Sequence, residues 1–292
     1  MTRGFLVVDK PGGMTSHDVV ARIRRASGIK KVGHAGTLDP MATGVLVVGI
    51  GPVTRLIRFV QDQPKEYLAT AQFGVATDTL DADGGILDRV EMGFTPEDLE
   101  EVAERFRGDI MQVPPMVSAL KHQGRRLYDL AREGQTIERE PRPVTIHELE
   151  ITSVGPGPYP EVEFRVVCSS GTYVRVLADD MARALGGFAH LTALRRTRVG
   201  SLGLDRAIAT GALDSWREHL IPPADALGDL PGVVVDPDLA RAVRQGTPLV
   251  GTPVMAAVPP GEPYRVLDEA GELLAVYERR GERAAPVVVL PS

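Results

Sequence analysis

The sequence predicts a mixed α+β fold, with one large domain over residues 1–230 and a small β-rich module over residues 231–292. Three observations point there. Glu66–Phe73 and Glu161–Cys168 alternate apolar and polar residues, as half-buried strands do. Two amphipathic stretches, one after Ser16 and one after Thr95, carry helix start and stop signals. Strands and helices follow one another irregularly, with strand-rich stretches, which disfavours a doubly wound parallel sheet.

Phe5-Leu6-Val7-Val8 opens the chain as a strand-like run. Ser16 then precedes the amphipathic run from His17 to Ser27, and Gly28 ends it, giving a helix capped by Ser16. Val45-Leu46-Val47-Val48 reads as the next buried strand. Thr95-Pro96-Glu97-Asp98 supplies a capping residue, a first-turn Pro and acidic residues for a second helix, which Gly108 closes. Residues 112–143 are polar and basic between Pro114-Pro115 and Pro141-Arg142-Pro143, an insertion that packs only partly on the core. Gly171-Thr172-Tyr173-Val174-Arg175-Val176-Leu177 enters a helix that Gly186-Gly187 terminates. A Pro/Gly-rich link, Pro222-Pro223 through Gly232, leads to a short helix from Asp236-Pro237 to Gly246. Strand-like runs from Pro253 to Val258 and from Leu273 to Tyr277 follow, in a module small enough to be marginal alone.

Composition is that of a soluble globular chain: 292 residues, 43% hydrophobic and 25% charged, with a net charge of −6. The acidic total argues against a general nucleic-acid binder, whose footprint is basic. Basic residues nevertheless gather locally at Arg22, Arg24, Arg25, Lys30 and Lys31, at Lys121, Arg125 and Arg126, and at Arg195, Arg196 and Arg198. Each cluster alone fits a solvated face; their joint appearance beside the motifs below suggests more. No apolar run approaches the ~18 residues of a membrane span, and the start lacks a signal-peptide core, so a cytoplasmic protein is expected. The single cysteine, Cys168, shares a strand face with Val162, Phe164 and Val166, which fits a buried inert thiol better than a nucleophile.

The chemistry concentrates in Gly33-His34-Ala35-Gly36-Thr37-Leu38-Asp39-Pro40-Met41-Ala42-Thr43-Gly44-Val45-Leu46. One carboxylate and one imidazole sit in a loop of Gly, Thr and Pro at the mouth of a buried strand. Glycines let the backbone approach a ligand closely, and Pro40 biases Asp39 toward an extended conformation. Spacing alone leaves two readings open: a turn whose Asp39 caps backbone N–H groups, or a carboxylate kept for a reaction.

This segment resembles the catalytic motif of the TruB family of tRNA pseudouridine synthases. The resemblance covers almost the whole chain. Val8-Asp9-Lys10-Pro11-Gly12-Gly13-Met14-Thr15-Ser16 resembles the family's opening, and Lys65-Glu66-Tyr67 its second active-site motif. Gln112-Val113-Pro114-Pro115-Met116-Val117-Ser118-Ala119-Leu120-Lys121 resembles the start of its thumb insertion. Gly171-Thr172-Tyr173-Val174-Arg175 and Leu194-Arg195-Arg196 resemble two further motifs, and the tail is similar to a PUA domain, an RNA-binding module. The fold so implied is a catalytic domain built on a large, mostly antiparallel sheet, with the thumb at about 112–143 and a PUA-like module after it.

The resemblance implies isomerisation of a tRNA uridine, at position 55 of the T loop, to pseudouridine. It makes Asp39 the catalytic carboxylate, Arg175 its guanidinium partner and Tyr67 the tyrosine stacked on the uracil. It places His34, Leu194, Lys10, Pro11, Gly36, Thr37, Lys121, Arg125, Arg126 and Tyr173 among the groups that contact substrate. Taken residue by residue the alternatives stay open: Tyr67 and Leu194 as core, His34 as structural, Arg175 as a surface residue. Neither a cofactor nor a metal is expected, since formula and oxidation state do not change and the sequence shows no Cys/His cluster or phosphate-binding loop. The expected partner is the tRNA T arm, with no membrane and no obligatory protein. A guide-RNA-dependent synthase and a tRNA-folding chaperone are the rivals.

Overall fold

The computed structural model describes residues 2–118, 121–122, 124–126, 133, 135, 137–251, 258 and 260–291. It divides into two compact units, one of Met1–Pro40, Gly44–Gln63 and Arg198–Ser292, the other of Met41–Thr43 and Pro64–Thr197.

In the first unit the strand Gly4–Lys10 is central. It pairs in parallel with Ala207–Ala209 and antiparallel with Thr43–Ile50, in a register that sets Asp9 opposite Val45 and Lys10 opposite Gly44. A strand covered on both faces needs a continuous apolar run, and Phe5, Leu6, Val7 and Val8 are all fully buried. Val32–His34 adds antiparallel to Thr43–Ile50. The helix Ser16–Ser27 buries Ser16, Val19, Val20 and Ile23. Its N-cap is Thr15 rather than Ser16, because Thr15 and Asp18 close a reciprocal capping box. That frees the Ser16 hydroxyl for another task.

The C-terminal part of this unit carries a five-stranded sheet in the order Gly232–Val234, Pro263–Leu267, Leu273–Arg280, Arg283–Val289, Leu249–Val250. Alternation explains its two buried faces. Val276 and Val288 join a core with Phe5, Val45, Val47 and Leu56. Ala275, Tyr277 and Tyr264 point the other way, into a second cluster with Ala240 and Val243 of the helix Pro237–Arg244. Ala224, Ala226 and Leu227 from the Pro/Gly-rich stretch are buried in the first of these cores. The run expected from Pro253 lies outside the described residues until Val258.

In the second unit the strands run Ala189–Val199, Lys65–Phe73, Glu161–Cys168, Arg142–Val154, Gly108–Gln112. Val162, Phe164, Val166 and Cys168 are at most 1% exposed, so the period-two pattern is the sheet's buried face. The helix Pro96–Glu104 starts at Thr95 as its caps require but ends before Gly108. Past Glu104 the chain turns, and the Arg107 guanidinium fixes that turn by donating to the Leu149 carbonyl at 2.7 and 3.0 Å. Gln112 faces Arg142 across an antiparallel pair, so the 112–143 insertion leaves one strand and returns on its neighbour. Among its described residues, Lys121–His122 pairs with Arg125–Arg126.

Candidate active site

The loop carrying Asp39 is bounded by two glycines that no other residue replaces without strain: Gly36 at φ 96° and Gly44 at φ 99°. Between them, three groups from elsewhere in the first unit fix the residues on either side of the aspartate. Before it, the buried Ser16 hydroxyl accepts from the Leu38 N–H at 2.9 Å and donates to the Leu38 carbonyl at 3.3 Å. After it, the Pro40 carbonyl accepts from the Gly13 N–H at 2.9 Å and from the Lys10 ammonium at 3.2 Å. The same ammonium donates to the carbonyls of Met14 at 2.6 Å and Pro11 at 3.0 Å.

Lys10 has no exposed surface. It lies beneath the loop as a support, not on the surface where a cation would meet substrate directly. Pro11 and Thr37 are exposed, and Gly36 and Asp39 are half-buried. A backbone held on both sides of a partly open carboxylate is preorganised for chemistry at that carboxylate. His34 meets His17 edge to face, with ring centroids 5.3 Å apart and planes at 84°. Nothing in the sequence singles out His17, one residue into the helix.

The second unit holds the other expected groups. Tyr67 and Leu194 are each 7% exposed, on neighbouring strands. Leu194 shares its strand face with Arg196, whose guanidinium carbon lies 6.0 Å from the Tyr67 ring centroid, a distance at which a buried cation still gains from the ring quadrupole. Arg175 is the second residue of the helix Val174–Ala184 and is 3% exposed. Its Nη1 donates to the Thr79 carbonyl at 2.7 Å and lies 3.3 Å from the Asp81 carboxylate; its Nη2 donates to the Val117 carbonyl at 3.1 Å.

The turn that supplies Thr79 and Asp81 contains Leu80 at φ 61°, the sole non-glycine residue with positive φ among the described residues. Strain of this kind, of order 1–3 kcal/mol, persists where surrounding contacts over-determine it and clusters at functional sites. The helix start is fixed separately. Gln112 accepts the Tyr173 N–H at 2.8 Å and donates to the Tyr173 carbonyl at 3.1 Å, two residues before Arg175.

Asp81 gave no signal in the sequence, and Gln112 read only as the start of the insertion, not as the partner of Tyr173. Asp81 lies in Thr77-Asp78-Thr79-Leu80-Asp81-Ala82-Asp83-Gly84, which reads as a solvated acidic turn, and only the fold buries it to 5% exposure. Cys168 is fully buried, and burial pushes its thiol up to about 11, which suits packing and not attack. In the insertion, the exposed Arg125 pairs with Glu133, while the side chains of Lys121 and Arg126 lie outside the described residues. Among the described residues no helix is long and apolar enough to cross a membrane.

Residues 24–174 match the family described as TruB family pseudouridylate synthase (N terminal domain). A tRNA pseudouridine synthase B of Symbiobacterium thermophilum is 50% identical over 244 residues, covering 83% of this chain and 82% of its own. The protein of the same name from Mycobacteroides abscessus is 45% identical over 300 residues, covering 98% of this chain and 96% of its own. Among solved structures, a Cbf5-Nop10-Gar1 complex contains a chain matching this fold with a TM-score of 0.75 at 27% identity, over 99% of this chain and 85% of that one.

Proposed function

The chain belongs to the TruB family of pseudouridylate synthases, and from that membership we propose that it isomerises a tRNA uridine to pseudouridine, at position 55 of the T loop. The enzyme works in the cytoplasm on the T arm, with no guide RNA, protein partner or cofactor. In the reaction the N1–C1′ bond breaks, the uracil turns, C5 bonds to C1′, and the proton lost from C5 is matched by one gained at N1. Nothing is oxidised or reduced.

The observation that carries this reading is the double clamp on Leu38 and Pro40, made by Ser16, Gly13 and Lys10 around a half-buried carboxylate. A surface turn that merely capped backbone groups would not recruit a fully buried lysine. Asp39 supplies the carboxylate, whether it attacks C1′, attacks C6 or removes a sugar proton. Arg175 serves as the guanidinium that keeps this carboxylate ionised, since a desolvated acid without a cation takes up a proton. Tyr67 and Leu194 form the wall against the base. The target must leave its stack to react, at a cost of a few kcal/mol, and stacking on aromatic groups such as Tyr67 or His34 returns ~1–3 kcal/mol. Gly36, Thr37, Pro11 and Tyr173 contact the RNA beside the site, Lys121, Arg125 and Arg126 bind phosphates from the insertion, and residues 231–292 act as a PUA-like RNA-binding module.

The relatives named tRNA pseudouridine synthase B, at 50% and 45% identity, together with the insertion at 112–143, favour a stand-alone enzyme over the guide-dependent alternative. The test is a T-arm hairpin labelled with tritium at uridine C5, incubated with the purified protein alone. Release of tritium with the label-free product retained in the RNA is expected. No release without an added guide RNA or protein overturns the stand-alone reading, and free uracil as product would point to a hydrolase.

A further inference from the structure

We propose that Arg22 and Arg25, on the helix Ser16–Ser27, together with Lys30 and Lys31 just after it, form a phosphate-binding surface for the RNA backbone. The proposal rests on the reading of the chain as a tRNA-modifying enzyme and adds a binding surface away from the reacting carboxylate.

All four side chains belong to exposed residues. Arg22 and Arg25 are three apart and share a helix face. The chain then turns at Gly28, φ 71°, and brings Lys30 and Lys31 to the end of the same helix. Residues 16–31 contain five Lys/Arg and one carboxylate, Asp18, within a chain whose net charge is −6. Asp18 accepts from Thr15 in the capping box and, one turn before Arg22, feels that guanidinium electrostatically without pairing with it; Arg25, Lys30 and Lys31 lie beyond, toward the other end of the helix.

Elsewhere several arginines of the protein are matched with carboxylates. Arg105 pairs with Glu101, Arg165 with Glu66 and Glu150, Arg183 with Asp179, and Arg244 with Asp268. Among the described residues, no carboxylate lies within ion-pair distance of Arg22, Arg25, Lys30 or Lys31. Arg24, between them, differs: it donates to the Val32 carbonyl at 2.7 Å and ties the helix end to the strand Val32–His34. One arginine of the cluster is therefore structural, and the other four cations are exposed and make no ion pair among the described residues.

The patch is also positioned. Ser16, at the start of this helix, holds Leu38 next to Asp39. At 1.5 Å per residue, Arg22 and Arg25 stand ~9 and ~14 Å along the helix from that clamp, a span of a few nucleotides of backbone. Among the described residues none of the four stacks on an aromatic ring, which suits contact with phosphates rather than reading of bases.

The test is the fourfold variant Arg22→Gln, Arg25→Gln, Lys30→Gln and Lys31→Gln, compared with the natural chain on full-length tRNA. The Kd should rise about tenfold near 0.1 M salt, and the slope of log Kd against log salt should fall by roughly one for each phosphate no longer neutralised. Single-turnover rate at saturating RNA and the melting temperature should stay as they were. Restoring Lys at positions 22 and 25 should recover part of the affinity. Unchanged Kd and salt slope would overturn the proposal, as would a loss of rate at saturation with binding intact. If the natural chain makes no pseudouridine, the functional reading fails on its own, and the salt dependence of RNA binding still decides the patch.

Discussion

A lysine without exposed surface must have its charge met inside the fold. Lys10 meets it with the carbonyls of Pro11, Met14 and Pro40, and so ties the opening motif to the residue after Asp39. Replacing it by Met keeps the length of the side chain and leaves those acceptors without the ammonium. Lys10→Met is expected to lose about 2–4 kcal/mol of stability, read by urea unfolding, and to lower the single-turnover rate more than the affinity for tRNA. Wild-type stability would show that the ammonium does not hold the loop. Cys168 gives a second prediction at this scale. Its thiol rises from 9.0 to about 11 because of burial. The folded state therefore holds this proton to higher pH than the unfolded chain does. The stabilisation is fully present below about pH 9 and is lost as pH rises through 11. Iodoacetamide at pH 8 should label Cys168 slowly in the native protein and quickly in urea; equal rates would contradict the buried thiol.

At the scale of elements, the start of the helix Val174–Ala184 decides where Arg175 points. Tyr173, its N-cap residue, makes no side-chain capping bond. The two amide bonds from Gln112 fix the Tyr173 peptide groups instead. Gln112→Ala removes both, taking the Gln112 acceptor from the Tyr173 N–H while the carbonyl keeps the Val176 and Leu177 N–H groups, at about 1–3 kcal/mol. We expect a lower melting temperature and a slower single turnover, with tRNA binding within a few fold of the natural chain. A variant with unchanged turnover would show that this clamp does not position Arg175. Local chemistry made much of this level legible from the residues. The Thr95-Pro96-Glu97-Asp98 start and the Val162-Phe164-Val166-Cys168 face follow from short-range rules and hold in the structure. The first helix shows the limit of such rules. Thr15 and Ser16 are adjacent and both can cap; Asp18, three residues after Thr15, selects Thr15. The pairs Arg175–Asp81 and Gln112–Tyr173 were not legible, because each joins segments far apart in the chain and only the strand order brings them together.

Across the whole molecule, the mixed α+β expectation holds in both compact units. The C-terminal sheet shows its logic well: residues of its strands feed two different clusters, so the Leu273–Tyr277 run seen in the sequence is buried on both faces. The family was legible because several ordered motifs repeat the TruB pattern, whereas charge and composition alone would have argued against an RNA partner. Local cations, such as the four proposed at the end of the first helix, give an acidic chain a way to hold RNA.

On the proposed function, affinity and chemistry are separable properties of this molecule, the first assigned to basic surface groups and the second to one carboxylate. Asp39→Asn tests that separation most directly, because it removes a charge with almost no change in shape. Single-turnover conversion of tRNA uridine by the purified variant should be undetectable, while its Kd for tRNA stays within about threefold, phosphate contacts being unaltered. Pseudouridine formed at anything near the natural rate would contradict the account.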